Sequence, residues 1–171
     1  MDRRHFLKDI AVSGTVVWSP LKLGASQTTA VSRPTLGYRF FTLEQVVTAG
    51  AVCEQIVPPD DYPGAKQAGV VQFIDGVLAR PIGRFYRMHY QQGLSMINNV
   101  SSRRHGKNFA LLRWEDQTSI LRDFESGVGA GPVGKKFFLL IVRHTMEGYY
   151  GDPSHGGNRK GLSWKMINFG G

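Results

Sequence analysis

The segment over residues 133–149 is the most apolar stretch of the chain, and it constrains the fold more than any other part. It contains the uninterrupted apolar run from Phe137 to Val142 and continues through residues 143–147 without a break. A helix that is apolar nearly all round is buried inside a domain or in an interface between subunits. We therefore predict a central buried helix here, or one face of a subunit interface. A central strand is the alternative, because Ile141 and Val142 favour strands.

Apolar residues also recur at helical spacing through the rest of the chain after residue 40. We predict a helix over residues 43–57, which Thr42 and Gln45 cap and which two prolines stop. Further helices are predicted over residues 70–78, 84–101 and 115–125. The helix over residues 84–101 has its apolar positions at Phe85, Met88, Leu94 and Ile97. In the helix over residues 115–125, Ile120, Leu121 and Phe124 are expected to face inward. We predict a single all-α domain over residues 34–171, a length that suffices to bury a core.

The first thirty residues have the organisation of an export signal. The basic pair Arg3-Arg4 is followed by Phe6, Leu7 and Lys8, then by a weakly apolar segment and a stretch of small polar residues. The apolar segment is shorter than the roughly 20 residues that span a bilayer. This pattern resembles a twin-arginine signal, which directs folded bacterial proteins across the inner membrane, commonly with a cofactor or a partner that carries one. We expect residues 1–30 to be signal and linker, and a chance arginine pair in a basic tail is the alternative.

Charge and cysteine content narrow the classes of partner and cofactor. Removing residues 1–30 lowers the formal net charge from +8 to +6, and the remaining basic residues are scattered. The densest basic group, over residues 103–107, is predicted to be a solvated loop, and an exported protein is not expected to bind nucleic acid. Cys53 is the single cysteine, which excludes an intrachain disulfide, a cysteine-based metal centre and a c-type haem attachment. We predict that it is buried, and a mixed disulfide with a partner is the alternative.

A search for catalytic motifs finds no enzyme site. The glycines of the C-terminal tail lack the spacing of a dinucleotide or phosphate loop, and no serine lies in a nucleophile elbow. Asp60 and Asp61 are predicted to cap a turn, and His89 and His105 to lie at the surface. One titratable cluster remains as a candidate metal site, formed by His144, Glu147, Asp152 and His155. Because known helical metal sites draw ligands from several helices, we predict a structural hydrogen-bonded pair of His144 and Glu147 instead. No catalytic, cofactor-binding or metal-ligating residue is assigned.

The C-terminal tail carries a recognisable pattern. It consists of His144-Thr145-Met146-Glu147-Gly148-Tyr149-Tyr150-Gly151-Asp152-Pro153, then Gly156-Gly157-Asn158-Arg159, then Trp164-Lys165-Met166-Ile167. Together with upstream segments such as Ile56-Val57-Pro58 and Gly64-Ala65-Lys66, this tail resembles that of the gluconate 2-dehydrogenase small-subunit (subunit 3) family. The resemblance covers roughly residues 40–171, and Ser163 and Asn168 stand where small or apolar residues are usual.

The resemblance implies a non-catalytic small subunit without a cofactor of its own. Its partners would be a large FAD-dependent dehydrogenase subunit that oxidises a sugar or sugar acid, and a multihaem cytochrome c subunit that passes electrons to the membrane. The large subunit usually lacks an export signal, so the small subunit would stabilise it and escort it through the twin-arginine translocase. The complex would then be periplasmic and associated with the inner membrane through its partners.

Aromatic side chains of the last helix and the tail are the candidates for the partner interface, because aromatic residues are the common anchors at such surfaces. They are Phe137, Phe138, Tyr149, Tyr150, Trp164 and Phe169. The resemblance adds Asp152 and Asn158, within the segment over residues 146–158. The alternative is that most of these aromatic side chains fill the core. The competing function is a self-standing periplasmic metal-binding protein or enzyme that uses the cluster of His144, Glu147, Asp152 and His155.

Overall fold

The computed structural model describes residues 37–169. Within them the chain forms six α-helices and no strand, so the all-α prediction is confirmed and the strand alternative for residues 137–142 is wrong. The helices are α1 (Leu43–Ile56), α2 (Val70–Ala79), α3 (Arg84–His105), α4 (Trp114–Ser126), α5 (Gly131–Tyr150) and α6 (Leu162–Met166). The predicted twin-arginine signal, Arg3, Arg4, Phe6, Leu7 and Lys8, and the predicted domain start at residue 34 lie outside the described residues.

Helix α5 occupies the centre of the fold, as its apolar sequence predicts. It packs against α1, α2, α3 and α4, and its buried positions follow the helical repeat. The core consists mainly of large apolar and aromatic side chains, among them Phe41, Ile74, Leu78, Tyr90, Leu94, Ile97, Phe109, Ile120, Phe124, Phe137 and Ile141. In the part of the chain that the structure describes, no helix is both long and apolar enough to cross a membrane.

The packing of α3 against α5 depends on Gly93. A Cβ atom at this position would lie 2.0 Å from Cγ of Phe137, which is shorter than any van der Waals contact. The ring of Phe137 is fully buried and meets the ring of Tyr90 edge to face, with centroids 5.6 Å apart. Glycine is therefore required at position 93 so that α3 and α5 can pack at this distance.

Local sequence signals determine where α1 begins and ends, as predicted. The side chain of Thr42 accepts a hydrogen bond from the backbone N–H of Gln45, and the Gln45 side chain accepts one from the N–H of Thr42. This reciprocal capping box satisfies two backbone donors that a helix start leaves free. Helix α1 ends at Ile56, just before the prolines. The side chain of Asp60 accepts from the N–H of Tyr62, so the predicted turn is present.

Helix α3 begins at the predicted residue but runs on to His105, beyond the predicted end at Ser101. Two of its apolar positions, Phe85 and Met88, are each 58% exposed. Residues 103–105 of the basic group predicted as a loop instead form the last turn of the helix, and Gly106 and Lys107 follow it outside the helix. Arg104 of that turn forms an ion pair with Asp123 of α4, at 2.6 Å. His89, predicted at the surface, is half-buried.

A buried carboxylate fixes the segment that leads into α1. Asp75 on α2 is only 3% exposed, and its two oxygens accept hydrogen bonds from three successive backbone N–H groups. The donors are Arg39 at 2.7 Å, Phe40 at 3.0 Å and Phe41 at 2.8 Å. The side chain of Phe41 is fully buried, and its ring centroid lies 5.8 Å from that of Tyr90. Asp75 thereby holds the start of the described chain against the core.

Candidate partner-binding surface

Asn158 holds the C-terminal tail in place. It is fully buried, and its side chain donates to the carbonyl of Gly151 and accepts from the N–H of Ser163, both at 2.9 Å. Its backbone N–H donates to the carbonyl of Gly148 at 2.8 Å. Asn158 adopts a positive φ of 42°, which asparagine tolerates better than most residues. These bonds turn the tail back onto the end of α5.

The tail lies close to the end of α5 and to the loop that leads into α2. A Cβ atom at Gly157 would lie 2.1 Å from the carbonyl oxygen of Gly148, so only glycine fits there. One residue further on from Asn158, the N–H of Arg159 donates to the carbonyl of Ala68 at 3.1 Å. The tail therefore docks on its own domain through backbone contacts, with its path fixed by glycine and asparagine.

Two adjacent tyrosines at the end of α5 point in different directions. Tyr149 is buried and donates its hydroxyl to the carbonyl of Pro63 at 2.6 Å, and burial raises the pKa of this hydroxyl. Tyr150 is 45% exposed, and its carbonyl accepts from the indole N–H of Trp164 at 2.9 Å. The Trp164 ring in turn contacts Phe169 edge to face, with centroids 5.1 Å apart. The aromatic side chains of the tail thus form a connected layer on the end of α5.

The outer side of this layer is a solvent-exposed apolar surface. We define the tail surface as Tyr150, Trp164, Ile167 and Phe169. Ile167 and Phe169 are 64% and 61% exposed, and Trp164 is half-buried. Grouped aromatic side chains left exposed on a rigid support are typical of protein–protein contact sites.

The other predicted interface residues lie elsewhere. Phe137 and Tyr149 are core residues, and Asn158 is fully buried. Phe138 is partly buried and lines a shallow groove between α1, α4 and α5. Asp152 is exposed and accepts a hydrogen bond from the N–H of Ser154, which lowers the pKa of its carboxyl. In the described chain, Tyr149 and Asn158 hold the tail from within the fold. Phe137 packs in the core against Tyr90 of α3.

The predicted pairing of His144 with Glu147 does not form. His144 is buried, and its Nδ1 lies 3.0 Å from the Tyr90 hydroxyl, while its Nε2 lies 3.3 Å from a nitrogen of Arg143. Burial, and secondly the positive charge of Arg143, lower the pKa of His144 from 6.5 to about 4, so the ring is neutral at pH 7. Because a guanidinium can only donate, Nε2 is the acceptor and Nδ1 carries the proton. Glu147 instead forms an ion pair with Arg143 at 3.3 Å.

The candidate metal cluster is therefore not assembled. Both ring nitrogens of His144 already have partners, and the Asp152 side chain caps a short turn. His155 is exposed on that turn. Across residues 37–169, no three histidine, cysteine or carboxylate side chains lie together in a way that could hold a metal ion.

Cys53 is buried, as predicted. It has no exposed surface, and it accepts a hydrogen bond from the hydroxyl of Thr145 at 3.3 Å. Burial raises the pKa of the thiol to about 12, so it is protonated at physiological pH. A mixed disulfide with a partner would require this part of the core to open.

Sequence reasoning missed an outward-facing stripe on α5. Leu139, Arg143, Met146 and Tyr150 are all exposed, and they recur every three or four residues. Residues at this spacing share one face of a helix. The sequence carries no clear signal for this face, because residues 137–142 are all apolar while the buried His144 and Thr145 are polar.

Residues 44–171 match the family model of gluconate 2-dehydrogenase subunit 3, a span of well over half the chain. The matched span includes the tail and all six helices apart from Leu43, the first residue of α1. Neither the curated proteins nor the solved structures yield a match. The family resemblance of the tail is thus confirmed by an independent comparison.

Proposed function

The chain belongs to the gluconate 2-dehydrogenase subunit 3 family, and on that premise we propose that it is the non-catalytic small subunit of a dehydrogenase complex. Its partner is a large FAD-dependent subunit that oxidises a sugar or sugar acid, and a multihaem cytochrome c subunit completes the complex. The small subunit stabilises the flavoprotein and escorts it through twin-arginine export. The complex works on the periplasmic side of the inner membrane.

The family match is the observation that carries this proposal, and the tail surface supports it. The tail that the family model covers is fixed by backbone hydrogen bonds and close glycine contacts, yet it leaves Ile167 and Phe169 largely exposed. A rigid support with exposed aromatic side chains loses little conformational entropy when it binds. Such a surface suits a subunit whose task is to hold a partner.

The N-terminal residues support the export part of the proposal. Arg3 and Arg4, with Phe6, Leu7 and Lys8, have the pattern of a signal for folded cargo. A flavoprotein acquires its cofactor in the cytoplasm and must be folded before transport. A small subunit that carries the signal can take such a partner across the membrane.

Co-purification tests this function. The chain, with an affinity tag joined to its C-terminus by a flexible linker, is expressed with its genetic neighbours and isolated from the periplasmic membrane fraction. We expect a much larger chain in stoichiometric amount and the visible spectrum of a flavin. Changing Arg3 and Arg4 to lysine should remove both from the periplasm, whereas the same change at Arg103 and Arg104 should not.

A colourless single chain, exported equally well without a partner, would contradict the proposal. A flavin-bearing complex that reaches the periplasm in full amount with Lys at positions 3 and 4 would contradict only the export part.

A further inference from the structure

A cleft of about 430 Å³ separates the first half of α3 from the middle of α5. Its walls are formed by apolar and basic side chains, namely Phe85, Tyr86, His89, Lys136, Leu139, Leu140 and Arg143. The volume falls within the range of sites that hold a bound group, roughly 300–1,000 Å³. None of the sequence predictions concerns this cleft.

The apolar walls of the cleft are open to solvent. Phe85 and Leu139 stand on opposite helices, and each is 58% exposed. Met88, one turn further along α3 from Phe85, is exposed to the same extent. Large apolar side chains facing each other across a concavity favour the insertion of an apolar side chain from another molecule.

The charge of the cleft is positive. Lys136 and Arg143 line it, and no carboxylate is among its lining residues in the described chain. Arg84 adds a third cation nearby, with its guanidinium 4.7 Å from the centroid of the Phe85 ring. The Arg143 guanidinium is held in position by the Tyr86 ring at 5.5 Å and by Glu147. Glu147 and His144 engage Nε and Nη2 of this guanidinium, so an incoming carboxylate would share Arg143 with Glu147 and pair chiefly with Lys136.

The cleft also contains an unused hydrogen-bonding group. Nδ1 of His89 is buried and has no hydrogen-bond partner among residues 37–169. Leaving a buried polar atom without a partner is unfavourable, and native structures rarely do so. His89 is one of the residues that line the cleft.

We propose that this cleft receives an acidic segment of the large partner subunit, with an apolar side chain inserted between α3 and α5 and a carboxylate beside Lys136 and Arg143. The inference rests on the proposed function and names a docking site for it. We infer an acidic segment from charge complementarity, because the lining residues include cations and apolar rings but no carboxylate. The concave shape favours a protruding side chain of a protein over a flat lipid surface.

The cleft is continuous with the tail surface. The exposed stripe of α5 joins Leu139 and Arg143 in the cleft to Met146 and then to Tyr150 in the tail surface. Arg143 and Tyr150 are seven residues apart, about 10 Å along one helix face. One partner can therefore cover both sites, and the joined area suits a stable subunit contact better than either part alone.

Site-specific photo-crosslinking tests the docking site in the whole complex. A benzoylphenylalanine replaces Leu139, and in a control chain it replaces Leu111, which is 70% exposed and lies outside the cleft lining. After irradiation, we expect position 139 to crosslink to a large-subunit peptide that contains aspartate or glutamate next to apolar residues. Position 111 should give no such product.

A charge reversal provides a second measurement. Lys136→Glu should weaken the complex about tenfold or more, measured as dissociation of the large subunit at rising NaCl concentration. Lys107→Glu, at an exposed site outside the cleft lining, should behave like the unmodified chain.

The outcomes separate this inference from the proposed function. If the complex forms but position 139 crosslinks to lipid, to a peptide without acidic residues or to nothing, and Lys136→Glu matches Lys107→Glu, the docking site is refuted and the function stands. If the unmodified chain forms no complex, the proposed function fails and the docking site with it.

Discussion

Asp75→Ala should destabilise the fold through the segment before α1. The substitution removes the acceptor for three backbone N–H groups at once, those of Arg39, Phe40 and Phe41. A hydrogen bond to a charged group contributes about 1.5–3 kcal/mol, and a buried donor left without a partner costs about 1–3 kcal/mol. Arg39 is exposed, so its N–H can turn to water, whereas the N–H of Phe41 belongs to a fully buried residue. The bonds to Phe40 and Phe41 alone, at about 1.5 kcal/mol or more each, lead us to expect a net loss of at least about 3 kcal/mol in the free energy of unfolding.

A milder substitution refines the estimate. Asp75→Asn keeps one oxygen for Phe40 and Phe41 but places an amide donor opposite the N–H of Arg39. About half the loss is expected, on the order of 1–2 kcal/mol. Asp61→Asn, at an exposed site, is the control and should leave stability unchanged.

Urea unfolding followed by circular dichroism measures the free energies, and amide hydrogen exchange locates the change. The amides of residues 39–41 should exchange faster in Asp75→Ala than those of α5. If Asp75→Ala unfolds at the same urea concentration as Asp61→Asn, the carboxylate does not hold the segment and the reasoning fails.

Three further predictions concern the core. Gly93→Ala should destabilise the chain by about 3 kcal/mol or more in urea unfolding, because its Cβ would meet the Phe137 ring at 2.0 Å. Gly76→Ala, where nothing lies within 4 Å, should be neutral or stabilising, and equal effects of the two would contradict the packing. Burial lowers the pKa of His144 from 6.5 to about 4. Between these pH values the unfolded state binds a proton that the native state does not, so stability should fall by at most about 3 kcal/mol as pH drops through this range. In His144→Gln, the free energy of unfolding measured over the same pH range should lack this fall. The Cys53 thiol, whose pKa burial raises to about 12, should react with iodoacetamide only after unfolding, and rapid native labelling would refute its burial.

Local signals account for the parts of the fold that the sequence predicts well. The capping box at Thr42 and the prolines after α1 act over a few residues, so they set the bounds of that helix wherever it packs. The apolar run in α5 is long enough to require burial on several sides, and this placed the helix at the centre.

The apolar positions of α3 do not all lie on one face of the helix, and the reason is geometric. Apolar spacing establishes that a segment is helical, but each residue also turns by about 100° around the axis. Phe85 and Leu94 are nine residues apart, which places them about 180° apart, on opposite sides of the helix. Leu94 is buried with Ile97, and Phe85 therefore faces outward into the cleft.

The polar contacts that organise the structure join residues far apart in sequence. Asp75 binds backbone groups more than thirty residues earlier, and Tyr90 meets His144 across 54 residues. No periodicity or local motif reports such a pairing, because it depends on how the helices pack. For the same reason, the sequence identifies the aromatic residues of the tail as candidates for an interface but does not indicate which of them are buried. Tyr149 points inward and Tyr150 outward.

The central claim is that this chain holds and escorts a flavoprotein, and the amount of that flavoprotein in the periplasm tests it most directly. The gene for this chain is deleted and restored in cells that keep the large subunit, and periplasmic flavin bound to the large chain is measured in each case. The account predicts that the flavoprotein disappears from the periplasm on deletion and returns when the chain is restored. A large subunit that reaches the periplasm in full amount and with its flavin in the absence of this chain would contradict the claim.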